Sequence, residues 1–201
     1  MTAPLGARDR SLLREASVVI GVDEAGRGAL AGPLAVAAAA FDTIPAASPV
    51  RDSKTLSRRR REEAAAWVRE HAVAWVVVEV GPGLVDTLNP LAATRLGMTA
   101  AIRALGLREA AVVTDAVPPS DAAMRVIAPV GADRTYLCVA AASVLAKVHR
   151  DAVLADLARR WPGWGWERNA GYGTRQHRAE LDRRGRSFLH RKTFAWGRVL
   201  P

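Results

Sequence analysis

The sequence has few of the features expected of a secreted or membrane-bound protein. Among its 201 residues there is one cysteine, Cys138, which excludes an internal disulfide and fits a reducing compartment. The first 17 residues contain no apolar segment of signal-peptide length. The longest apolar run, residues 34–41, is far shorter than the roughly 20 residues that cross a bilayer. We therefore expect a cytoplasmic protein without membrane contact.

Acidic residues are scarce relative to basic ones. The chain has 20 Asp and Glu against 29 Lys and Arg, which gives a net charge of +9. Such a charge is common in proteins that bind a polyanion, although Arg-rich and Ala-rich composition also arises from genome-wide bias with no partner implied. With half of its residues apolar, the chain is long enough for one well-buried core and short for two full domains.

The hydrophobic pattern predicts an α/β fold with a mixed five-stranded sheet flanked by helices. Strands are predicted at residues 17–22, 33–41, 74–80, 110–114 and 125–130, the first two forming an antiparallel hairpin around a glycine-rich turn. Helices are predicted from Ser57 onward and at residues 90–105, 135–160 and 175–184. We expect residues 1–16 to be a loose lead-in, residues 17–160 to form the main domain, and residues 161–201 to form a small helical extension packed on it.

Acidic residues follow three of the predicted strands. Asp23 and Glu24 come directly after the first strand, Asp115 follows the fourth, and Asp133 lies shortly after the fifth. Ligand sites in open α/β sheets form beyond strand ends, and neighbouring strands lie only about 4.8 Å apart. The four carboxylates are therefore candidates for a shared site, although each Asp taken singly is an ordinary turn or cap residue.

Carboxylate oxygens are hard ligands, which favours Mg²⁺ or Mn²⁺ over zinc. Two such cations about 3.5 to 4 Å apart are suited to phosphoryl transfer, one activating water and one stabilising the leaving oxygen. The four histidines show no zinc-like spacing and are expected at the surface or in supporting positions. Cys138 lies in an apolar helical pattern and is expected to be a buried structural thiol.

Further candidate residues surround the first acidic pair in the sequence. Gly26 and Gly28 would let backbone N–H groups approach a phosphate or sugar hydroxyl, and Arg27 between them would bind a phosphate. Lys54 adds a cation, unless its Asp-Ser-Lys segment is simply a capped turn. Four arginines at residues 58–61 begin a helix, where positive charge is unfavourable; either an anion lies nearby or they form a solvated face balanced by Glu62 and Glu63.

Four motifs in this order, GVDEAGRGALAGPL, DSKTLS, AASVLAKVHRD and GYGTRQH, closely resemble those of ribonuclease HII. The resemblance covers roughly residues 18–195. It implies a ribonuclease H-like fold and a metal site made of Asp23, Glu24, Asp115 and Asp133. It also implies that Gly26, Arg27, Gly28 and Tyr172 recognise the junction between a ribonucleotide and a deoxyribonucleotide, although a Tyr between glycines is commonly a loop anchor.

The implied activity is metal-dependent hydrolysis of the phosphodiester 5′ of a ribonucleotide, in RNA/DNA hybrids or in DNA with embedded ribonucleotides, leaving a 3′-OH and a 5′-phosphate. The implied role is removal of ribonucleotides from DNA. The oligomeric state is left open by the sequence, and a monomer is the default expectation. The chain departs from the usual family pattern at Ala116, which replaces a Gly, and at Val130 and Ala170, which replace frequent Lys residues. The last two departures remove candidate phosphate contacts.

Three other functions are compatible with parts of the sequence. Other nucleases or resolvases of the same fold are disfavoured by the GRG turn and the late GYGT loop. A catalytically silent nucleic-acid-binding domain is disfavoured by the four acids. A nucleotide-binding regulator is disfavoured because no P-loop or GxGxxG motif lies between a strand and a helix.

Overall fold

The structure, a computed structural model, describes residues 4–121 and 123–196 of the chain. The strands are β1 (Val18–Ala25), β2 (Leu34–Phe41), β3 (Ala74–Val80), β4 (Ala110–Thr114) and β5 (Val126–Ile127). The helices are α1 (Ala7–Leu12), α2 (Arg58–His71), α3 (Pro82–Leu88), α4 (Pro90–Ala104), α5 (Leu137–Arg160), α6 (Trp166–Asn169) and α7 (Arg175–Arg184), with a 3₁₀ turn at Ala132–Arg134.

The five strands form one mixed sheet in the order β3-β2-β1-β4-β5. β2 pairs antiparallel with β1 and β3, whereas β4 is parallel to both β1 and β5. This confirms the predicted α/β fold, the mixed sheet and the hairpin of the first two strands. β1 lies at the centre, so its end is bordered by a strand on each side.

Helices cover both faces of the sheet and divide the core into two layers. Alternate residues of β2 belong to different layers: Ala37 and Ala39 face α2 and α5, whereas Val36 and Ala38 face α4. All eight residues of β2 are buried, as expected for a strand covered on both faces. Their small size, four of them consecutive alanines, leaves room for helices to approach the sheet closely.

The closest such approach is at Gly21 in β1. A Cβ atom at Gly21 would lie 2.0 Å from the backbone carbon of Cys138, in the first turn of α5. The start of α5 therefore rests directly on the backbone of the central strand, and no side chain fits between them. Cys138 itself is fully buried there, which raises the pKa of its thiol and confirms the expected structural role.

Several boundaries differ from the sequence predictions. β1 extends to Ala25 because β2 continues to pair with it, so Asp23 and Glu24 lie within the strand and not after it. β5 has only two residues, since Pro129 cannot donate to the ladder. Two short helices, α3 and α6, were not predicted. The predicted helix start at residue 90 is confirmed, and the side chain of the preceding Asn89 caps the helix by accepting hydrogen bonds from the N–H groups of Leu91 and Ala92.

The expectation of a loose lead-in is wrong for the segment that forms α1. Asp9 in this helix is fully buried, and its carboxylate oxygens accept hydrogen bonds of 2.9 Å from the N–H groups of Leu137 and Cys138. These two groups begin α5, where Tyr136 supplies no side-chain cap. Asp9 thus satisfies donors that would otherwise be buried and unpaired.

The predicted domain division at residues 16 and 160 remains a prediction, and residues 1–3 and 197–201 of its terminal segments lie outside the described residues. Within the described part of the chain, no helix is long and apolar enough to cross a membrane.

Replacement of Asp9 tests the importance of this cap. We expect Asp9→Ala to lower the free energy of unfolding by about 2 kcal/mol, because two buried N–H groups lose their acceptor. Asp9→Asn keeps one acceptor oxygen, so its free energy of unfolding should fall by a smaller amount. Urea unfolding measures both values, with Asp42→Ala as a control at an exposed position. A loss for Asp9→Ala no greater than for Asp42→Ala would contradict the capping role.

Candidate active site

Three of the predicted acidic residues line one cleft at the end of the central strands. Asp23 lies on the α5 face of β1, and Glu24 lies on the opposite face. Asp115 follows β4, whose last residue, Thr114, is paired with Val22 of β1. The parallel register of β1 and β4 therefore places Asp115 beside the first acidic pair. The cleft has a volume of about 440 Å³ and is lined mainly by polar side chains.

Asp133 lies next to this group but is not among the residues that line the cleft. The loop that carries it is tied to Asp115, whose Oδ1 accepts hydrogen bonds from the N–H groups of Gly131 (2.7 Å) and Ala132 (3.1 Å). Burial and the charge of Asp115 raise the pKa of Asp133, while Lys54 opposes this shift. The Lys54 Nζ lies 3.7 Å from the Asp133 Oδ2.

The cleft is electrostatically unfavourable for its own carboxylates. Burial, and then the charge of Glu24, raise the pKa of Asp23 to about 8. Burial also raises the pKa of Glu24, against the opposing effect of Arg27, whose guanidinium lies 3.2 Å from the carboxylate. These groups would all be ionised near neutral pH only if additional positive charge entered the cleft.

The donor set fits a divalent cation, although the side chains are not arranged as a closed ligand cage. In residues 4–121 and 123–196, no group of three or more His, Cys, Asp or Glu side chains is close enough to hold one ion. Arg27 contacts Glu24, and Lys54 contacts Asp133. A cation at this site would compete with these two basic side chains for the carboxylates. Oxygen-only donors and the raised pKa of Asp23 are the features that favour such an ion.

Two serines that the sequence analysis did not identify support Asp23. The Ser143 hydroxyl, on α5, hydrogen-bonds the Asp23 carboxyl. The Oγ atoms of Ser143 and Ser53 lie 3.0 Å apart, and both residues are buried. Ser53 belongs to the Asp-Ser-Lys segment, in which only the lysine was singled out. A serine within the long apolar run of α5 was the one available signal for Ser143.

Basic residues line the cleft opposite the acids. Lys54 is present as predicted, and Arg61 and Lys147 also line it. Arg61 and Lys147 both pair with Asp151, at 3.2 and 2.7 Å. Both alternatives offered for the arginines at residues 58–61 therefore apply, each to different residues. Arg58 and Arg59 pair with Glu62 and Glu63 on the solvated face, whereas Arg61 lines the cleft.

The glycine turn and Tyr172 also line this cleft. Gly26 has a φ angle of 91°, and a Cβ atom there would lie 1.9 Å from the Arg150 Nε. A Cβ atom at Gly28 would meet nothing within 4 Å, so the space beside it is open. The structure therefore brings together eight of the nine candidate residues, and Asp133 lies just behind Asp115.

The histidines separate into two kinds of position. His71 is exposed, and His149 is half-buried. His177 and His190 are buried, and their Nε2 atoms lie 3.1 Å apart. The Nδ1 of His177 donates to the carbonyl oxygen of Tyr172, so this pair supports the Tyr172 loop from behind.

Comparison with known proteins identifies relatives over nearly the whole chain. The sequence profile of the family described as ribonuclease HII matches residues 20–196. A ribonuclease HII from Paramagnetospirillum magneticum is 46% identical over 184 residues, covering 89% of this chain and 90% of the relative. One from Thermus thermophilus is 43% identical over 191 residues, covering 94% and 92%.

A solved structure is also similar. The ribonuclease H2 of Pyrococcus horikoshii superposes with a TM-score of 0.76 at 26% identity, covering 90% of this chain and 95% of that one.

Replacement of Asp23 by Asn tests the electrostatics of the cleft. In the folded, metal-free protein Asp23 keeps its proton up to about pH 8, whereas the unfolded chain releases it near pH 4. The stability that results is present at low pH and is lost as pH rises through this window. In EDTA at pH 8.5, we expect Asp23→Asn to be more stable than the wild type by at least about 1 kcal/mol.

The measurement is urea unfolding at pH 4.5 and pH 8.5. At the lower pH the two proteins should be nearly equal, because Asp23 is then neutral in the folded protein as well. The exposed Asp42→Asn serves as a control. If the free energies of unfolding of Asp23→Asn and the wild type differed by the same amount at both pH values, Asp23 would not have a raised pKa.

Ala116, directly after Asp115, has a φ angle of 58°, and Ala170 has one of 46°. The left-handed region costs a non-glycine residue about 1 to 2 kcal/mol. We therefore expect Ala116→Gly to raise the free energy of unfolding by about 1 kcal/mol, after the entropy cost of glycine. Ala152→Gly, at an exposed position inside α5, should lower it by a similar amount. Urea unfolding of both variants measures these changes. A lower free energy of unfolding for Ala116→Gly as well would contradict the backbone strain at Ala116.

Proposed function

The chain belongs to the ribonuclease HII family, and from that membership we propose cleavage 5′ of a ribonucleotide by two cations held at four carboxylates. Membership in this family makes the protein a ribonuclease H endonuclease that acts on RNA/DNA hybrids and depends on metal ions. The proposal concerns the finer points: the bond that is cut, the residues that act, and the removal of ribonucleotides from duplex DNA.

The observation that carries the proposal is the composition of the cleft. Three carboxylates from neighbouring strands, the glycine turn and Tyr172 line it together. Cleavage of one phosphodiester next to one particular sugar requires acidic residues that can bind metal ions and, beside them, a backbone that the sugar can approach closely. The open space beside Gly28 allows such an approach. A binding domain without catalysis would have no need of carboxylates whose pKa values are raised by burial and mutual repulsion.

Asp23, Glu24, Asp115 and Asp133 would hold the cations. When bound, Mg²⁺ or Mn²⁺ lowers the pKa of the attacking water and neutralises charge on the leaving oxygen. Ser143 orients the Asp23 carboxyl, and the N–H groups of Gly131 and Ala132 orient that of Asp115. Fixed orientation of the ligands reduces the reorganisation that the reaction requires.

Substrate binding is assigned to the basic and glycine-rich side of the cleft. Lys54, Arg27 and Lys147 would attract the phosphate backbone, in keeping with the net charge of +9. Backbone groups of the glycine turn, at Gly26 and Gly28, would detect the 2′-OH that distinguishes a ribonucleotide. The Tyr172 ring would pack against the following sugar and exclude a second hydroxyl. The products would be a 3′-OH and a 5′-phosphate.

The test is incubation of duplex DNA carrying one ribonucleotide with the full chain and Mg²⁺ or Mn²⁺. We expect one cut, 5′ of the ribonucleotide, and loss of at least about 100-fold in rate for Asp23→Asn. Binding of the duplex by this variant should be retained, because the basic surface is unchanged.

Asp42→Asn, at an exposed position away from the cleft, is the matched control and should cleave like the wild type. Intact substrate with both metals would overturn the proposed function. Equal loss of binding and cleavage in Asp23→Asn would assign that residue a structural role instead.

A further inference from the structure

Two buried arginines lie behind the glycine turn and the Tyr172 loop, and the proposed reaction uses neither directly. Arg150 on α5 is fully buried, and Arg191, after α7, is 1% exposed. Among the described residues, neither guanidinium is within ion-pair distance of a carboxylate; their hydrogen bonds go to backbone carbonyls. A buried cation without a paired carboxylate is costly, and its retention calls for a specific reason.

Arg150 joins the two recognition segments. Its Nε donates to the carbonyl of Pro33 (2.9 Å) and its Nη2 to that of Ala31 (3.0 Å), both on the connection between β1 and β2. Its Nη1 donates to the carbonyl of Ala170 (2.8 Å), at the start of the Tyr172 loop. The same guanidinium lies 5.1 Å from the centre of the Tyr172 ring. One side chain therefore fixes the separation of the two segments.

Arg191 holds the same turn from its other side. Its Nη1 donates to the carbonyl of Arg27 (2.7 Å), and its Nη2 donates to that of Gly32 (3.2 Å). Its backbone N–H also donates to the carbonyl of Leu30 (2.8 Å). With the Arg27 carbonyl held inward, the turn keeps one fixed face toward the cleft.

The glycines of both segments are shaped to this arrangement. A Cβ atom at Gly26 would collide with Arg150, and one at Gly171 would lie 2.4 Å from the carbonyl oxygen of Ala31. The two segments also bond directly, since the N–H groups of Leu30 and Ala31 approach the carbonyl oxygen of Gly171 at 2.8 and 3.2 Å. Arg150 bonds carbonyls of both segments through three different nitrogens of a rigid planar fork, whereas a lysine ammonium has all three of its donors on one nitrogen and cannot reproduce this spacing.

We propose that Arg150 and Arg191 are positioning residues that hold the glycine turn and Tyr172 in one fixed relation, which sets the preference for the RNA–DNA junction. This inference rests on the proposed function and adds the residues that determine its specificity. The 2′-OH is sensed at one sugar and excluded at the next, so a change in the distance between the two segments alters the choice of bond. A displacement of 1 Å near a reacting group is enough to change rates by about 100-fold.

The experiment uses Arg150→Lys and Arg191→Lys in the full chain. Arg160→Lys, at the exposed end of the same helix as Arg150, is the matched control. The substrate is a duplex in which a short run of ribonucleotides is followed by DNA. The measured quantity is the ratio of cuts at the last ribonucleotide to cuts within the run, in the presence of Mn²⁺. Because both products come from one substrate, this ratio is independent of the folded fraction of the enzyme.

We expect the wild type and Arg160→Lys to cut mainly at the last ribonucleotide. In Arg150→Lys and Arg191→Lys the ratio should fall by about tenfold or more. A merely structural role would lower both kinds of cut equally and leave the ratio unchanged, which would overturn the inference. If Arg150→Lys does not fold, as judged by circular dichroism, Arg191→Lys decides, since it loses contacts to two carbonyls only.

The result also separates this inference from the proposed function. A wild type that cuts nothing would overturn the proposed function itself. A wild type that cuts without preference for the junction would overturn the sugar recognition assigned to the glycine turn and Tyr172, and with it this inference. A wild type with strong preference, matched by both lysine variants, would overturn the role of the two arginines alone.

Discussion

The direct contact between the first turn of α5 and the backbone of β1 at Gly21 is the constraint on which the rest of the structure depends. It fixes the height of α5 above the sheet without an intervening side chain. The contact places Ser143 of α5 next to Asp23, which lies two residues after Gly21 in β1. Further along the helix, it places Lys147 in the cleft and Arg150 behind the glycine turn. Asp9 also stabilises this first turn of α5, because its carboxylate accepts hydrogen bonds from the first two N–H groups of the helix.

The carboxylates of the cleft are held in an electrostatically unfavourable arrangement. Acidic groups, of which Asp23 and Asp133 are buried, are held near one another, and basic side chains contact two of them. Buried charges of this kind reduce stability, and proteins retain them where binding or chemistry requires them. The assignment of the chain to ribonuclease HII gives that requirement a chemical meaning, because a metal-dependent nuclease needs anionic ligands before the metal arrives.

Much of the fold could be predicted from the sequence because local signals were strong. The eight apolar residues of β2, the Asn89-Pro90 start of α4 and the bounds of β3, β4 and α7 follow from composition and capping alone. The expectation that Asp23, Glu24 and Asp115 lie close together agrees with the structure because β1 and β4 are parallel and in register, although the first two acids lie inside β1 and not after it. Asp9, Ser53, Ser143, Arg150 and Arg191 act through long-range contacts, however, and their own sequence neighbourhoods carry no sign of their partners. α1 was missed for the same reason: its buried acid is explained by the distant start of α5.

The bond between Arg191 and the carbonyl of Arg27 joins residues 164 positions apart. During synthesis the central strand and its acidic pair emerge early, whereas the side chain of Arg191 emerges only after all the helices and strands described above have been made. On the role proposed for Arg191, the selectivity of the enzyme would be the last of its properties to form. A nascent chain would then hold its acidic residues in place before it could distinguish one sugar from the next.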